Sequence, residues 1–311
     1  MEWYEVYFLT EEEKKHLLKG LLPRSRELGI AEELRGWNWP APPLQPVYDT
    51  VLALYEVANS YCPTNRDLYL RRVRRVFPAP SAAMVQGRVL HAALVHVLVS
   101  AKRLIYSVGV AQYQTICREL QELGPVNVES ELQALAPEDA ADLKRKVAIV
   151  TEFEKARIIS RIQEILFKQP YIGEDSLAVL AIPVIVEQKL DGSFLGLSPN
   201  LSTDAFTVCE PMIVDLKFGE RRDFHRLTTT GYALVMESLY EFPVNIGCLV
   251  YGSFRGDRLI INKDLHIIDD ELRQWFIESR DEKARMVYEE IDPGFPAECY
   301  QGCHCYAACH G

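Results

Sequence analysis

The first half of this chain lacks a long hydrophobic run: its longest uncharged apolar stretch, Val89 to Ala101, has thirteen residues and carries His91 and His96. A helix that crosses a bilayer needs about 20 apolar residues, so no membrane role is expected. A secretory leader is not expected either, because Glu11, Glu12, Glu13, Lys14 and Lys15 put the charges in the wrong order for one. The chain also lacks low-complexity segments, internal repeats and a positive charge excess, its net charge being −10. That balance argues against indiscriminate nucleic-acid binding, which shows itself as a basic surface. The expectation is a cytoplasmic chain whose thiols stay reduced and act as ligands rather than as disulfides.

With 311 residues, 48% hydrophobic and 25% charged, the chain can bury one large core or two modest ones. Basic residues gather at Arg66, Arg71, Arg72, Arg74 and Arg75, at Arg88, at Lys102 and Arg103, at 144–146, and at Arg221 and Arg222. One basic groove on an acidic body fits this pattern, and so do ordinary solvated helix faces.

Pro23, Pro40, Pro42, Pro43 and Pro46 predict an extended or looping segment over 22–47. Short helices are expected over 50–60 and 65–76, and a long one over 82–106 with Ser81 as its N-cap. Another is expected over 137–168, with Pro137 suited to its first turn. From Ser176 the texture changes, and β-branched apolar runs predict strands over 177–190, 211–217, 245–252 and 258–262. Helices over 222–240 and 270–290 complete an α/β chain with a helical N-terminal half, a mixed sheet and a cysteine-bearing tail.

Between Thr203 and Lys217 a hairpin is suggested. If Cys209 and Glu210 form a two-residue turn, residues whose numbers sum to 419 face each other, which sets Asp204 opposite Asp215. Their Cβ atoms then lie about 4.5–5.5 Å apart. Carboxylates that close repel unless a cation or a proton lies between them, and a hard cation such as Mg2+ or Mn2+ suits oxygen ligands. Lys217, two residues beyond Asp215, shares its face. Carboxylates, cation and ammonium in one pocket fit phosphodiester hydrolysis, although Asp-x-Lys is also common on exposed strand edges. His91 stands one turn after Gly87, where a missing side chain lets the helix approach the sheet, and its imidazole suits the same cation. A satisfied core or surface histidine is its ordinary role. Glu187 is a carboxylate in an apolar run. Tyr232, on the helix after Lys217, suits either a phosphate contact or the core.

Four of the eight cysteines, Cys299, Cys303, Cys305 and Cys309, fall within the last thirteen residues. Thiolates so close together imply a metal or an iron-sulfur cluster that they hold jointly, the alternative being small hydrophobes in a core.

Taken in order, Cys62, Gly87-x-x-x-His91, Glu187, Asp204, Asp215-x-Lys217, Tyr232 and the cysteine tail resemble the Cas-four family of CRISPR-associated exonucleases, its longer archaeal subtype in particular. The resemblance covers about residues 50 to 311. It implies a restriction-endonuclease-like (RecB-type) core with a mixed β-sheet, a helical N-terminal region over 1–80, a nuclease core over 81–290 and an iron-sulfur tail over 291–311. By position it makes Asp204 and Asp215 metal-binding carboxylates, with Glu187 beside them. His91 becomes a metal ligand, Leu216 a ligand through its carbonyl oxygen, and Lys217 the catalytic lysine. Cys62, Cys299, Cys303 and Cys309 become ligands of a 4Fe-4S or 2Fe-2S cluster, with Cys305 as substitute. Two departures stand out. Thr228 occupies the place of a glutamine four residues before Tyr232, and Cys299 lies one residue further from Cys303 than the pattern has it.

The function implied is a metal-dependent DNA exonuclease on single-stranded or frayed ends, processing new spacer precursors alongside CRISPR spacer-integration proteins. Arg71, Arg72, Arg74 and Arg75 would line a passage for the strand. Two other readings compete with it: a non-catalytic DNA-end-binding subunit of the integration complex, and a zinc-tailed interaction protein for which His304 and His310 add ligands.

Overall fold

A computed structural model describes residues 9–133, 135–207, 211–299 and 302–310. The chain starts as helix. At α1 (Glu11–His16) the Thr10 hydroxyl accepts from the Glu13 amide, and the Glu13 carboxylate accepts from the Thr10 amide 2.8 Å away, a reciprocal cap. A π turn over Leu17–Leu21 leads into α2 (Leu22–Leu28), with Pro23 in the first turn. Segment 22–47 is therefore not wholly extended as expected: a proline that early in a helix removes no needed hydrogen bond, and the looping course begins at Gly29.

The short helices α3 (Leu54–Ala58) and α4 (Arg66–Arg72) lie inside the spans expected for them. Ser81 caps α5 (Ala82–Val108) by accepting from the Met84 amide. After α6 (Tyr113–Glu122) and α7 (Glu129–Leu132) comes α8 (Pro137–Lys168), which occupies the expected span. By length and composition α5 is apolar enough to cross a bilayer; here Leu90, Leu94, Val97, Leu98 and Ala101 are buried, and it packs on α6, α8 and α9 (Glu174–Ala181).

That last helix corrects the strand expected over 177–190. Leu177, Ala178 and Ala181 are buried along one face of α9, a helical spacing that a short apolar run does not separate from a strand. Only β1 (Ile185–Val186) and β2 (Lys189–Leu190) remain extended in that span. The strand β2 pairs with β3 (Leu201–Ser202) in a separate ribbon. The main sheet comprises β1, β4 (Ala205–Thr207), β5 (Met212–Lys217), β6 (Ile246–Arg255) and β7 (Arg258–Ile267), in that spatial order. It is mixed, since β5 and β6 run parallel and the other neighbours antiparallel. On one face Ala205, Val214 and Leu216 join a core with α5 and α8; on the other Phe206 and Ile213 join a second core with α3, α10 (Arg226–Tyr240) and α11 (Asp270–Tyr288). The tail ends in α12 (Tyr306–His310).

Fully buried Glu237, on α10, ties the second core together. Its oxygens accept from Arg35 Nη1 at 3.0 Å, from Arg273 Nη1 and Nη2 at 2.7 and 2.8 Å, and from the Gly36 and Val244 amides. Gly36 is required there, because a Cβ would stand 2.1 Å from the Leu234 carbonyl oxygen. Replacing Glu237 by Ala strands two guanidinium groups, one of them fully buried. We expect a loss of about 3–5 kcal/mol, read as a lowered denaturation midpoint in urea; a change within error would show that the network contributes little.

Candidate active site

The ladder between β4 and β5 pairs Ala205 with Val214, Phe206 with Ile213 and Thr207 with Met212. These pairs follow the register expected from the sequence, although the turn at Cys209 and Glu210 lies outside the described residues. Continuing that register one step beyond the ladder, into the bend before β4, sets Asp204 toward Asp215, whose carboxyl feels its charge. The Asp204 carboxylate accepts from the Leu216 amide at 2.9 Å. A strand residue's N–H and C=O point to the same side, so the Leu216 carbonyl also faces the Asp204 edge.

Two neighbours complete the acidic group. His91, from α5, has Nδ1 3.7 Å from Asp204 Oδ2 and Nε2 3.8 Å from Glu187 Oε1. Glu187 is not on a strand as expected but in the bend after β1, held at φ 50° with its amide 3.3 Å from the Asp204 carbonyl oxygen. A left-handed non-glycine residue is strained, and such residues cluster at functional sites. The expected role of Gly87 fails: a Cβ there would meet nothing within 4 Å, so it permits no close approach. The helix is open at Gly87 itself, and His91 one turn on reaches Asp204 and Glu187 by its own side chain.

Asp215 is 4% exposed. Burial chiefly, and Asp204 secondarily, push its carboxyl up to about 6 against the pull of Lys217 and His91. Its Oδ2 makes no hydrogen bond among the described residues; the Lys217 Nζ, 2.9 Å away, faces it as an ion pair outside hydrogen-bond angles. Burial works against the Lys217 ammonium, yet Asp215 and Asp204 hold it above the ordinary lysine value. The lysine therefore stays charged at neutral pH and acts as a fixed cation, not as a base. Asp204, Asp215, Glu187 and His91 form a hard oxygen-and-nitrogen donor set, and the unsatisfied Asp215 oxygen is a place where a divalent cation fits.

His225 was not among the residues expected at the site, yet it lies within the field of Lys217. Its Nε2 is 2.8 Å from the Tyr61 hydroxyl and its Nδ1 3.1 Å from that of Tyr251, the residue paired with Lys217 across the β5–β6 ladder. A histidine eight residues after a suspected catalytic lysine was the signal available. Tyr232 packs against the second core and donates to the Ser202 carbonyl at 2.5 Å. Thr228 is buried one turn before it.

Arg71 and Arg72 both pair with buried Glu56, whereas Arg74 and Arg75 are exposed. In the tail, the Cys309 thiol is raised chiefly by burial, with smaller effects from Cys299 and Cys62. Burial first, then Cys303, Asp67 and Cys309, push Cys305 up to about 12. All five cysteines thus share one neighbourhood, and their soft sulfur donors suit iron or zinc. Thr64 donates to the Gly294 carbonyl, Arg66 pairs with Asp292 and stacks over Phe295, and Phe295 stacks on His310, which pins the Cys62 segment to the tail. Cys248, by contrast, is an ordinary core cysteine.

Opposed carboxylates with a charged lysine beside them, at the end of a central strand in a mixed sheet, define a site suited to cleaving phosphate esters. A model of the family described as CRISPR-associated exonuclease Csa1 matches residues 7–311. The chain belongs to this family and so to the CRISPR-associated nucleases. It is 33% identical over 282 residues to a CRISPR-associated exonuclease Csa1 of Saccharolobus solfataricus, covering 90% of this chain and 92% of that one. It is 29% identical over 280 residues to a protein of the same description from Thermoproteus tenax, covering 90% and 91%. No solved structure matches.

Asp215 keeps its proton to about pH 6 when folded but loses it near 3.8 when unfolded. The folded state binds that proton more tightly, so this group favours folding at low pH, and the advantage is lost as pH rises through about 6. In EDTA, the stability of Asp215→Asn relative to wild type should therefore climb between about pH 4 and pH 7, by roughly 1–3 kcal/mol. A difference that stays level across this range would mean that Asp215 is not buried in charged form.

Proposed function

We propose that the chain is a metal-dependent DNA exonuclease acting on single-stranded or frayed ends, working in the cytoplasm to prepare new CRISPR spacers beside the integration proteins. The single observation that carries this reading is buried Asp215 with Lys217 Nζ 2.9 Å away and Asp204 close enough to raise its carboxyl. The mixed sheet with helices on both faces supports reading the core as restriction-endonuclease-like, of RecB type. Asp204, Asp215 and His91, with Glu187 and the Leu216 carbonyl at the same edge, would hold one Mg2+ or Mn2+. Such a cation supplies an activated water at neutral pH and neutralises phosphate charge. Lys217 steadies the attacking water or the developing negative charge, and its permanent ammonium suits that role.

Lys217→Ala should cut labelled single strands in Mn2+ at least about 100-fold more slowly, the usual scale for losing one electrostatic contact in the transition state. Fold and metal content should be unchanged. Cutting at the wild-type rate would place the active site elsewhere, and a wild type that binds ends but never cuts would favour the non-catalytic subunit.

For the tail, Cys62, Cys299, Cys303 and Cys309 would hold an iron-sulfur cluster, 4Fe-4S or 2Fe-2S, that ties the N-terminal region to the chain's end. A second reading has its own support: Cys303, His304 and Cys305 bring their ligand atoms within 4.8 Å of one another, a sulfur-and-nitrogen set that zinc accepts. Protein purified without oxygen should be brown and contain iron and sulfide. Cys62→Ser and Cys309→Ser should lose the iron, and Cys305→Ser should keep it. Colourless protein with stoichiometric zinc would establish the second reading.

A further inference from the structure

Tyr61 is an unusual surface tyrosine. It is 65% exposed, yet its hydroxyl is fixed by buried His225 and its ring meets Phe224 edge-on at 4.9 Å. The hydroxyl feels the charges of Lys217, Arg222, Asp215 and Glu220, and through His225 it is joined to Tyr251, the cross-strand partner of Lys217. The backbone leading to it is rigid: Lys283 Nζ donates to the Val57 and Asn59 carbonyls, and Ser279 also bonds that of Val57. A flexible surface ring needs no such support.

The hydrogen-bond chain behind the ring decides where protons lie. Burial first, then Lys217 and Arg222, lower His225 to about 4, so the ring is neutral and offers one donor and one acceptor. Both nitrogens face tyrosine hydroxyls. One tyrosine must therefore donate to the ring, while the other accepts from it and keeps its own proton. Tyr251 is largely buried and its oxygen also faces the Arg222 backbone amide. In the tautomer in which Tyr251 donates to Nδ1, Nε2–H donates to Tyr61, and the exposed hydroxyl is left with a proton aimed away from His225.

We propose that Tyr61 is a substrate-binding residue that donates a hydrogen bond to a backbone phosphate of the strand lying against Asp215 and Lys217, with His225 and Tyr251 as its positioning residues. The inference rests on the nuclease site proposed above. A neutral donor on the Lys217 side of the site can meet a phosphate without disturbing the Asp215–Lys217 pair, and phosphate contacts fix the placement of a strand without reading its sequence.

The test uses the full chain in two arms. On the Lys217→Ala background, binding of a fluorescent single-stranded oligonucleotide is read by anisotropy. On the Lys217-containing enzyme, KM and kcat are measured in Mn2+. Tyr61→Phe keeps the ring and removes only the hydroxyl. It should raise Kd and KM about 3–10-fold, the loss of one neutral hydrogen bond, with the change falling mainly on KM. His225→Phe should give a similar shift, and the double variant should be no worse than either, because both remove one interaction. Tyr61→Phe that binds and cuts like the parent overturns the proposal, as does weakened binding only in Tyr61→Leu, which would show that the ring acts by stacking. Should His225→Phe fail to fold, Tyr61→Phe decides alone. If Lys217→Ala still cuts, the assignment of the nuclease site has failed, while the anisotropy arm still tests Tyr61.

Discussion

Two carboxylates brought together at the end of a β-ladder are the constraint around which the rest of this molecule is arranged. Left alone, Asp204 and Asp215 would repel in a setting where water cannot screen them well, since Asp215 is 4% exposed. The structure answers at three points. The Leu216 amide takes one Asp204 oxygen, the Lys217 ammonium faces the Asp215 oxygen that lacks a hydrogen bond, and His91 stands between Asp204 and Glu187. None of these fully offsets a buried charge, and Asp215 accordingly holds its proton more tightly than usual. The strand that bears this cost is the one best able to: β5 has β4 on one side, β6 on the other, and a packed core on each face.

The cysteine segment is held by the same scaffold that frames the site. α11 anchors residues 57–59 through Ser279 and Lys283, the latter lowered to about 8 by its burial. Two residues on, Tyr61 reaches His225, and the next residue is Cys62. Contacts from Thr64 and Arg66 then join this short stretch to 292–295 and the tail. Bringing Cys62 beside residues almost 240 positions later closes a long loop, whose entropic cost grows only slowly with length. These side-chain contacts help to hold the loop closed.

Much of this was readable from the sequence, and each failure has a physical cause. Ser81 and Pro137 mark the starts of α5 and α8 because capping is local chemistry, and the 419 register follows from centring a short turn on Cys209 and Glu210. Gly87 misled because an absent side chain permits a close approach without requiring one. Leu177 to Ala181 misled because a short apolar run satisfies two periods at once. The partnerships of Glu56, Glu237 and His225 join residues 16 to more than 200 positions apart. No spacing rule reaches across such distances, so the second line of support around the acidic pair stayed hidden while the pair itself did not.

The basic stretch before α5 shows how magnitudes narrow a sequence reading. Arg71 and Arg72 hold Glu56, which is buried, capping α3 through the Ala53 amide. Swinging both guanidinium groups out to a phosphate would leave that carboxylate unpaired, at a cost of about 3–5 kcal/mol. An exposed ion pair returns only about 0–1 kcal/mol. The balance keeps Arg71 and Arg72 in the fold. It leaves Arg74 and Arg75, exposed in the loop that runs into α5 and on to His91, as the arginines of this stretch that a nucleic-acid strand can engage without unsettling α3.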